Sequence, residues 1–200
     1  MVEKLIDSLP MLPSLRAGET SAPLRGLRDR LSLALATCGV GYIPIVPATW
    51  ASAVTTGVYW TVLQMAGPTF TELSAEGSAS LSPEVLRVTF MLVVIVALTF
   101  AGVWAASRVE RLLRRKDPKP VVIDEVVGQL VTLLFVPRAA GLGMFVVGFF
   151  VFRAFDILKP YPIRRLESLG GGTGVMADDI LAGVYGAILM LLILHFFASS

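Results

Sequence analysis

The chain has 200 residues, 55% of them hydrophobic and 16% charged, with a formal net charge of +2 at pH 7. A soluble domain averages about 45–50% apolar and about 25% charged residues, so this composition, with a mean hydropathy of +0.75, excludes an ordinary water-soluble domain and indicates an integral membrane protein. The small net charge gives no reason to expect a nucleic-acid partner, and a single cysteine, Cys38, excludes an intrachain disulfide framework.

Residues 1–30 carry Lys4, Arg16, Arg25, Arg28 and Arg30 among Pro10, Pro13 and Pro23. They lack the continuous apolar core of a cleavable signal peptide. A poorly ordered or surface-lying cytoplasmic arm is expected there, with residues 31–200 forming a membrane-embedded domain. The first apolar stretch, 31–66, is interrupted by Gly39, Gly41, Pro44 and Pro47. It reads as a short lead-in, a broken loop near 39–48 and a helix from about Thr49 to Ala66, with proline at the helix start. Thr49 and Ser52 then share the first turn, where free backbone N–H groups suit an anion. The null alternative is a capped helix whose small residues merely pack.

Residues 67–87 read as a polar link. Residues 88–107 form an uncharged run of membrane length, since twenty residues rise about 30 Å. A basic block follows at 108–120. Residues 121–136 are apolar but open on Asp124 and Glu125, and Pro137 ends them. A four-residue link leads to the run 141–155, suiting an antiparallel hairpin. Beyond it, Arg153, Asp156, Lys159, Arg164 and Arg165 precede a glycine group at 170–174. That group is expected to be a flexible link, with Asp178 and Asp179 at the mouth of a last helix over 178–197. The fold expected is all-α, a polytopic membrane helix bundle of about five apolar segments.

Lysine and arginine set the orientation. The arm holds five, the 108–120 block six and the 153–167 segment four, whereas the other two loops hold only Arg87 and Arg138. Five spans place the three basic regions on one side, which the positive-inside rule makes cytoplasmic, with the N-terminus in and the C-terminus out. Asp124, Glu125, Asp156, Asp178, Asp179, Thr49 and Ser52 then all fall near the cytoplasmic face. Gly128 and Gly183 follow Asp124 and Asp179 by four residues each, on the same helix faces, where small side chains let helices approach and bring the acids together.

Five carboxylates in one shallow site repel unless cations sit among them. CxxC and HExxH patterns are absent, and the one histidine, His195, reads as a residue at the membrane–water boundary. An oxygen-rich set without cysteine or histidine favours Mg²⁺, Mn²⁺ or Ca²⁺. Arg153, Lys159 and Arg164 suit phosphate oxygens. A metal and basic groups at a lipid boundary point to a phosphorylated lipid headgroup. Two other classes are open to these residues: a transporter or channel using the carboxylates as a cation path, and a structural protein whose charges only set topology. The first fits poorly, because no acid sits at mid-span.

The segments IVPATWAS (45–52), VVIDEVVGQLVT (121–132), FRAFDILKPYPIRRLE (152–167) and GGTGVMADDILAGV (171–184) resemble, in this order, those of the phosphatidylglycerophosphatase A family. The resemblance covers about residues 30–200. It implies a Mg²⁺-dependent phosphatase of the bacterial inner membrane, with its active site on the cytoplasmic face. Its substrate would be phosphatidylglycerophosphate, cleaved to phosphatidylglycerol and phosphate. Matching positions are Asp124, Glu125, Arg153, Asp156, Lys159, Pro160, Asp178 and Asp179, the five acids being the implied metal ligands. Where the family has glycine this chain has Ala48 and Ala51, which suit positive φ or close phosphate approach less well. Oligomeric state is left open.

Overall fold

The computed structural model describes residues 26–76, 81–115, 118–166 and 169–199. The regular structure among them is all helical: α1 Leu27–Thr37, α2 Pro47–Glu76, α3 Pro83–Leu113, α4 Ile123–Leu133, α5 Gly141–Leu158, α6 Ile163–Leu166 and α7 Gly171–Ala198. Short 3₁₀ turns lie at Val40–Tyr42 and Arg138–Ala140. The all-α expectation holds. Most of the expected arm, residues 1–25, lies outside the described residues. Its last residues belong to α1, where Asp29 is buried and accepts from Arg108 Nε of α3 at 2.6 Å.

Local chemistry places the helix ends. The interruption after α1 is present, with positive φ at Cys38, Gly39 and Val46, and Pro47 starts α2 as expected. The expected link at 67–87 is mostly helical instead. α2 runs on through Pro68 to Glu76, and α3 begins at Pro83. Arg138 supports α2 near its proline, packing at Gly67 and donating from Nε to Gln64 Oε1 at 2.9 Å. Ser82 caps α3, its hydroxyl accepting from Val85 N–H at 3.3 Å.

The last helix also starts early, at Gly171, so Asp178 and Asp179 sit two turns inside it rather than at its mouth. The glycine group is therefore not a flexible link. Gly172 donates its N–H to Ser107 Oγ of α3 at 2.9 Å, and a Cβ there would strike Ser107 and the Val103 carbonyl. Glycine serves at this position to bring two helix backbones together.

Among the described residues three helices are long and apolar enough to cross a membrane: Pro83–Leu113, Arg138–Leu158 and Gly171–Ala198. The five expected apolar segments are all helical, but α2 does not meet that test. α4 has eleven residues and rises only about 16 Å, too short to span a bilayer core alone. It is instead the buried hub, packed against α2, α3, α5 and α7. A helix that is apolar on several faces must be enclosed, and its end needs partners. Arg87, 4% exposed, supplies one: it donates to the Leu134 carbonyl at 3.0 Å and to Tyr59 Oη at 2.7 Å, while its Nε pairs with Glu84. Arg87 was expected in a loop, and is a buried tie between three helices.

Contacts give the directions. Ser107, late in α3, meets Gly172, early in α7, so these two are antiparallel. Gly128 meets Gly183 and Thr132 meets Gly186, so α4 and α7 run parallel. In α5, Gly148 meets Leu133 and Phe152 meets Gly128, making α5 antiparallel to α4. At the α4–α7 crossing a Cβ on Gly183 would lie 2.5 Å from the Gly128 carbonyl oxygen, and one on Gly128 would lie 2.6 Å from that of Asp179. The approach expected from these two glycines is present.

Gly128→Ala should therefore cost about 1–3 kcal/mol through overpacking and lower the melting temperature in detergent. Gly57→Ala, where a Cβ would meet nothing within 4 Å, should hold or raise it, because alanine is favoured over glycine in a helix by about 1 kcal/mol. Equal melting temperatures for the two variants would mean the crossing tolerates a side chain.

Candidate functional site

The acids gather at one end of the bundle, opposite Arg87 and Arg138. Asp124 and Glu125 occupy the first turn of α4, Asp156 the last turn of α5, and Asp178 and Asp179 the third turn of α7. Each helix contributes for a local reason. Val121 and Val122 anchor the start of α4 in the core, Val122 N–H donating to the Ala36 carbonyl at 2.8 Å. Asp124 then turns inward, 8% exposed. In α7 the glycine crossing seats Asp179 against α4, 4% exposed.

Oxygens of Asp124, Glu125 and Asp179 all lie within 4.8 Å of one another. Ligands of one ion stand at most twice the metal–oxygen distance apart, about 4.2 Å for Mg²⁺ and about 5 Å for Ca²⁺. The three carboxylates thus suit one hard divalent cation. Buried oxygens of Glu125 and Asp178 without partners in the protein (Oε2 and Oδ1) add acceptor capacity at the same place. Asp156 and Asp178 lie in the electrostatic surroundings of Asp179, as does Glu125. All five expected acids are therefore brought together.

The basic groups divide. Arg153 pairs with Asp156 one turn along α5, and both are nearly buried. Lys159 ends α5 in the left-handed region, φ 42°, its N–H donating to the Phe155 carbonyl. That turn sends its Nζ to Asp178 Oδ2 at 2.8 Å, and Pro160 stops the helix from continuing. A non-glycine residue held at positive φ is strained, and such strain gathers at functional sites. Arg164 is exposed on α6, and Arg165 beside it stacks over the Tyr161 ring at 4.9 Å.

The Thr49–Ser52 pair is not drawn into this cluster in the same way. Ser52 is fully buried, and its hydroxyl donates to the Ala48 carbonyl at 3.0 Å. Thr49 is half-buried. Among the described residues α2 makes no contact with α7, so Thr49 does not adjoin Asp178 and Asp179. Ala48 and Ala51 lie in ordinary helix, neither at positive φ, so neither position needs glycine for backbone freedom.

Two polar residues at this end were passed over in the sequence. Ser107 was the end of an apolar run, yet it receives the N-terminus of α7. Gln129 is fully buried beneath Glu125. Its signal was its place: an amide in an apolar helix, four residues after an acid.

A family model described as Phosphatidylglycerophosphatase A matches residues 33–194. A Bacteroides thetaiotaomicron protein named "Putative phosphatidylinositol-3-phosphatase" is 41% identical over 153 residues, 76% of this chain and 86% of that protein. Proteins named phosphatidylglycerophosphatase A match over shorter stretches. The one from Haemophilus influenzae is 41% identical over 75 residues, 37% of this chain and 45% of that protein. The one from Escherichia coli K12 is 35% identical over 95 residues, 47% of this chain and 55% of that protein. No solved structure matches.

A cation held by Asp124, Glu125 and Asp179 should stabilise the fold by about 2.7 kcal/mol at 100 times its dissociation constant. Thermal melts in detergent should therefore rise with Mg²⁺ in the unmutated protein and lose that rise in Asp179→Asn. An undiminished rise in the variant would place the ion elsewhere.

Proposed function

Because the chain belongs to the phosphatidylglycerophosphatase A family, we propose that it hydrolyses the terminal phosphate of phosphatidylglycerophosphate, giving phosphatidylglycerol and inorganic phosphate. The enzyme class follows from the family. The substrate, the Mg²⁺ dependence and a part in phospholipid biosynthesis are our reading. The observation that carries it is the grouping of Asp124, Glu125 and Asp179 oxygens beside the Arg153–Asp156 and Lys159–Asp178 pairs. Carboxylates able to hold a hard cation, next to cations able to hold phosphate, suit a phosphomonoester.

In this reading Mg²⁺ held by Asp124, Glu125 and Asp179, with Asp156 and Asp178 at its margin, supplies neutralisation of the phosphomonoester's charge. Arg153 and Lys159 stabilise charge on the transferring phosphoryl group. Their pairs with Asp156 and Asp178 hold both in place before substrate arrives. Glu125, with an unshared buried oxygen, takes the proton of the attacking water. The phosphorus–oxygen bond to glycerol breaks as the bond to water oxygen forms, and the proton taken up by Glu125 passes to the leaving glycerol oxygen. Attack by one of the aspartates, through an aspartyl-phosphate, is the competing route, and labelled phosphate trapped on the protein during turnover would select it. Arg164, exposed at the rim, would meet the substrate's outer phosphate oxygens.

In this reading this end lies at the cytoplasmic face of the inner membrane, with the N-terminus in and the C-terminus out, an orientation that the basic segments support. The exposed apolar side chains Phe90, Val93, Phe100, Leu192 and Phe196 on α3 and α7 support a lipid-facing surface, since patches of this kind are rare on soluble proteins. The Bacteroides relative favours a second substrate of the same chemistry, a phosphorylated inositol lipid.

Phosphate release from phosphatidylglycerophosphate in micelles should require Mg²⁺ and stop with EDTA. Asp156→Asn should reduce turnover by about 100-fold or more while the protein still inserts. Faster release from phosphatidylinositol phosphate would move the substrate to the inositol lipid, and release untouched by EDTA would remove the metal.

A further inference from the structure

Gln129 lies in the middle of α4 with 0% exposure, and both atoms of its side-chain amide, Oε1 and Nε2, have no hydrogen-bonding partner in the protein. Burying an amide in this way costs about 1–3 kcal/mol on mutational scales. It is not alone. Glu125 Oε2 and Arg153 Nε are also buried without a partner.

The three groups share one seam. Residues 125, 129 and 133 recur at four-residue spacing on one face of α4. At one end of that face Glu125 lies in the field of Arg153 and Asp156 of α5. At the other end Leu133 packs at Gly148 of α5. Gln129 lies between them on that face of α4. The chemistry is complementary: Arg153 Nε donates, Glu125 Oε2 accepts, and the amide does both. Groups of this kind are what a buried water requires, since it makes two to four hydrogen bonds to polar groups otherwise unsatisfied.

We propose that Gln129 is a positioning residue, which through one ordered water buried between α4 and α5 holds the Glu125 carboxylate and the Arg153 guanidinium in their working orientation. Its effect on turnover rests on the phosphatase reading above; its effect on stability does not. Gln129 touches neither phosphate nor metal. It braces from below an acid and an arginine that each retain an unmatched atom.

Gln129→Met is the test, because methionine keeps the length and removes both hydrogen-bonding atoms. An amide that is simply unpartnered is relieved by this change, and the melting temperature rises. An amide that holds the bridging water is not, and the melting temperature stays level or falls. Turnover should drop by about 10–100-fold, as for other residues that orient a primary site group, with KM within about twofold of the unmutated value. Gln129→Asn, which keeps the amide and leaves room for a second water, should recover most of the turnover. A higher melting temperature in Gln129→Met overturns the proposal, as does unchanged turnover. Raised KM with turnover intact also overturns it, by making Gln129 a substrate contact. If the unmutated protein releases phosphate from no lipid monoester, the phosphatase reading fails by itself, and the melting comparison still decides the role of Gln129.

Discussion

The closest constraint in the molecule is the crossing of α4 and α7 at Gly128 and Gly183. No side chain separates the two backbones there. The Thr132 hydroxyl crosses the gap, within hydrogen-bond reach of the carbonyls of Gly128 and Gly183 at 3.1 and 3.3 Å. Because the helices run parallel, the residues one turn earlier, Asp124 and Asp179, must also face each other. Two carboxylates are thus forced together by packing that is otherwise apolar. Small residues are the usual means of helix association in lipid, where burial of apolar surface provides no drive between helices. Here the same device sets the spacing of the site. The Gly172–Ser107 contact at the start of α7 fixes the helix a second time, so Asp178 and Asp179 hang between two close approaches.

That placement has an electrostatic consequence. The acids outnumber Arg153 and Lys159, the basic groups paired with them, and burial raises the cost of each uncompensated charge. Arg153 and Lys159 answer to Asp156 and Asp178, which stand at the margin of the cluster. The three acids whose oxygens group most tightly are the central ones. A divalent cation at that centre would relieve the largest repulsion. A substrate phosphate would then bind between the cation and the flanking basic groups, each of which is already oriented by its own carboxylate.

Much of this was legible in the sequence because membrane-length apolar runs make charged residues conspicuous. Asp124, Glu125, Asp156, Asp178 and Asp179 stood out for that reason, and the four-residue offset to Gly128 and Gly183 gave their helix faces. Helix ends were less legible. Gly170 to Gly174 looked like a flexible link, since glycine is weak in helices; an unseen partner, Ser107, makes glycine necessary there instead. α2 was expected to end at about Ala66, but Arg138, some seventy residues on, packs at Gly67. Arg87 looked like a loop charge, and its role appears only once α4 is known to end beside it. In each case the missing information was a contact distant in sequence. Ser52 shows a local contact that the sequence left open. Its place in a first turn was right, but the hydroxyl is spent on its own helix, an option open to any serine there.

The site's chemistry also bears on why similar chains carry different substrate names. Carboxylates around a cation and two fixed basic groups would recognise a phosphomonoester, and nothing in that set would read the alcohol that leaves. Discrimination between a glycerol and an inositol headgroup must come from side chains farther out. At the same end of the bundle Ile157, Leu158, Tyr161, Arg164 and Arg165 are exposed, around the turn that carries Lys159 from α5 into α6. Arg165 is already occupied by the Tyr161 ring, which leaves its charge at the rim with reduced freedom. A headgroup bound through its phosphate at the acid cluster would place its alcohol toward this turn. On that reading the core of the site would stay constant while changes on this turn alter which lipid is accepted, with Arg153 and Lys159 each held by its own carboxylate.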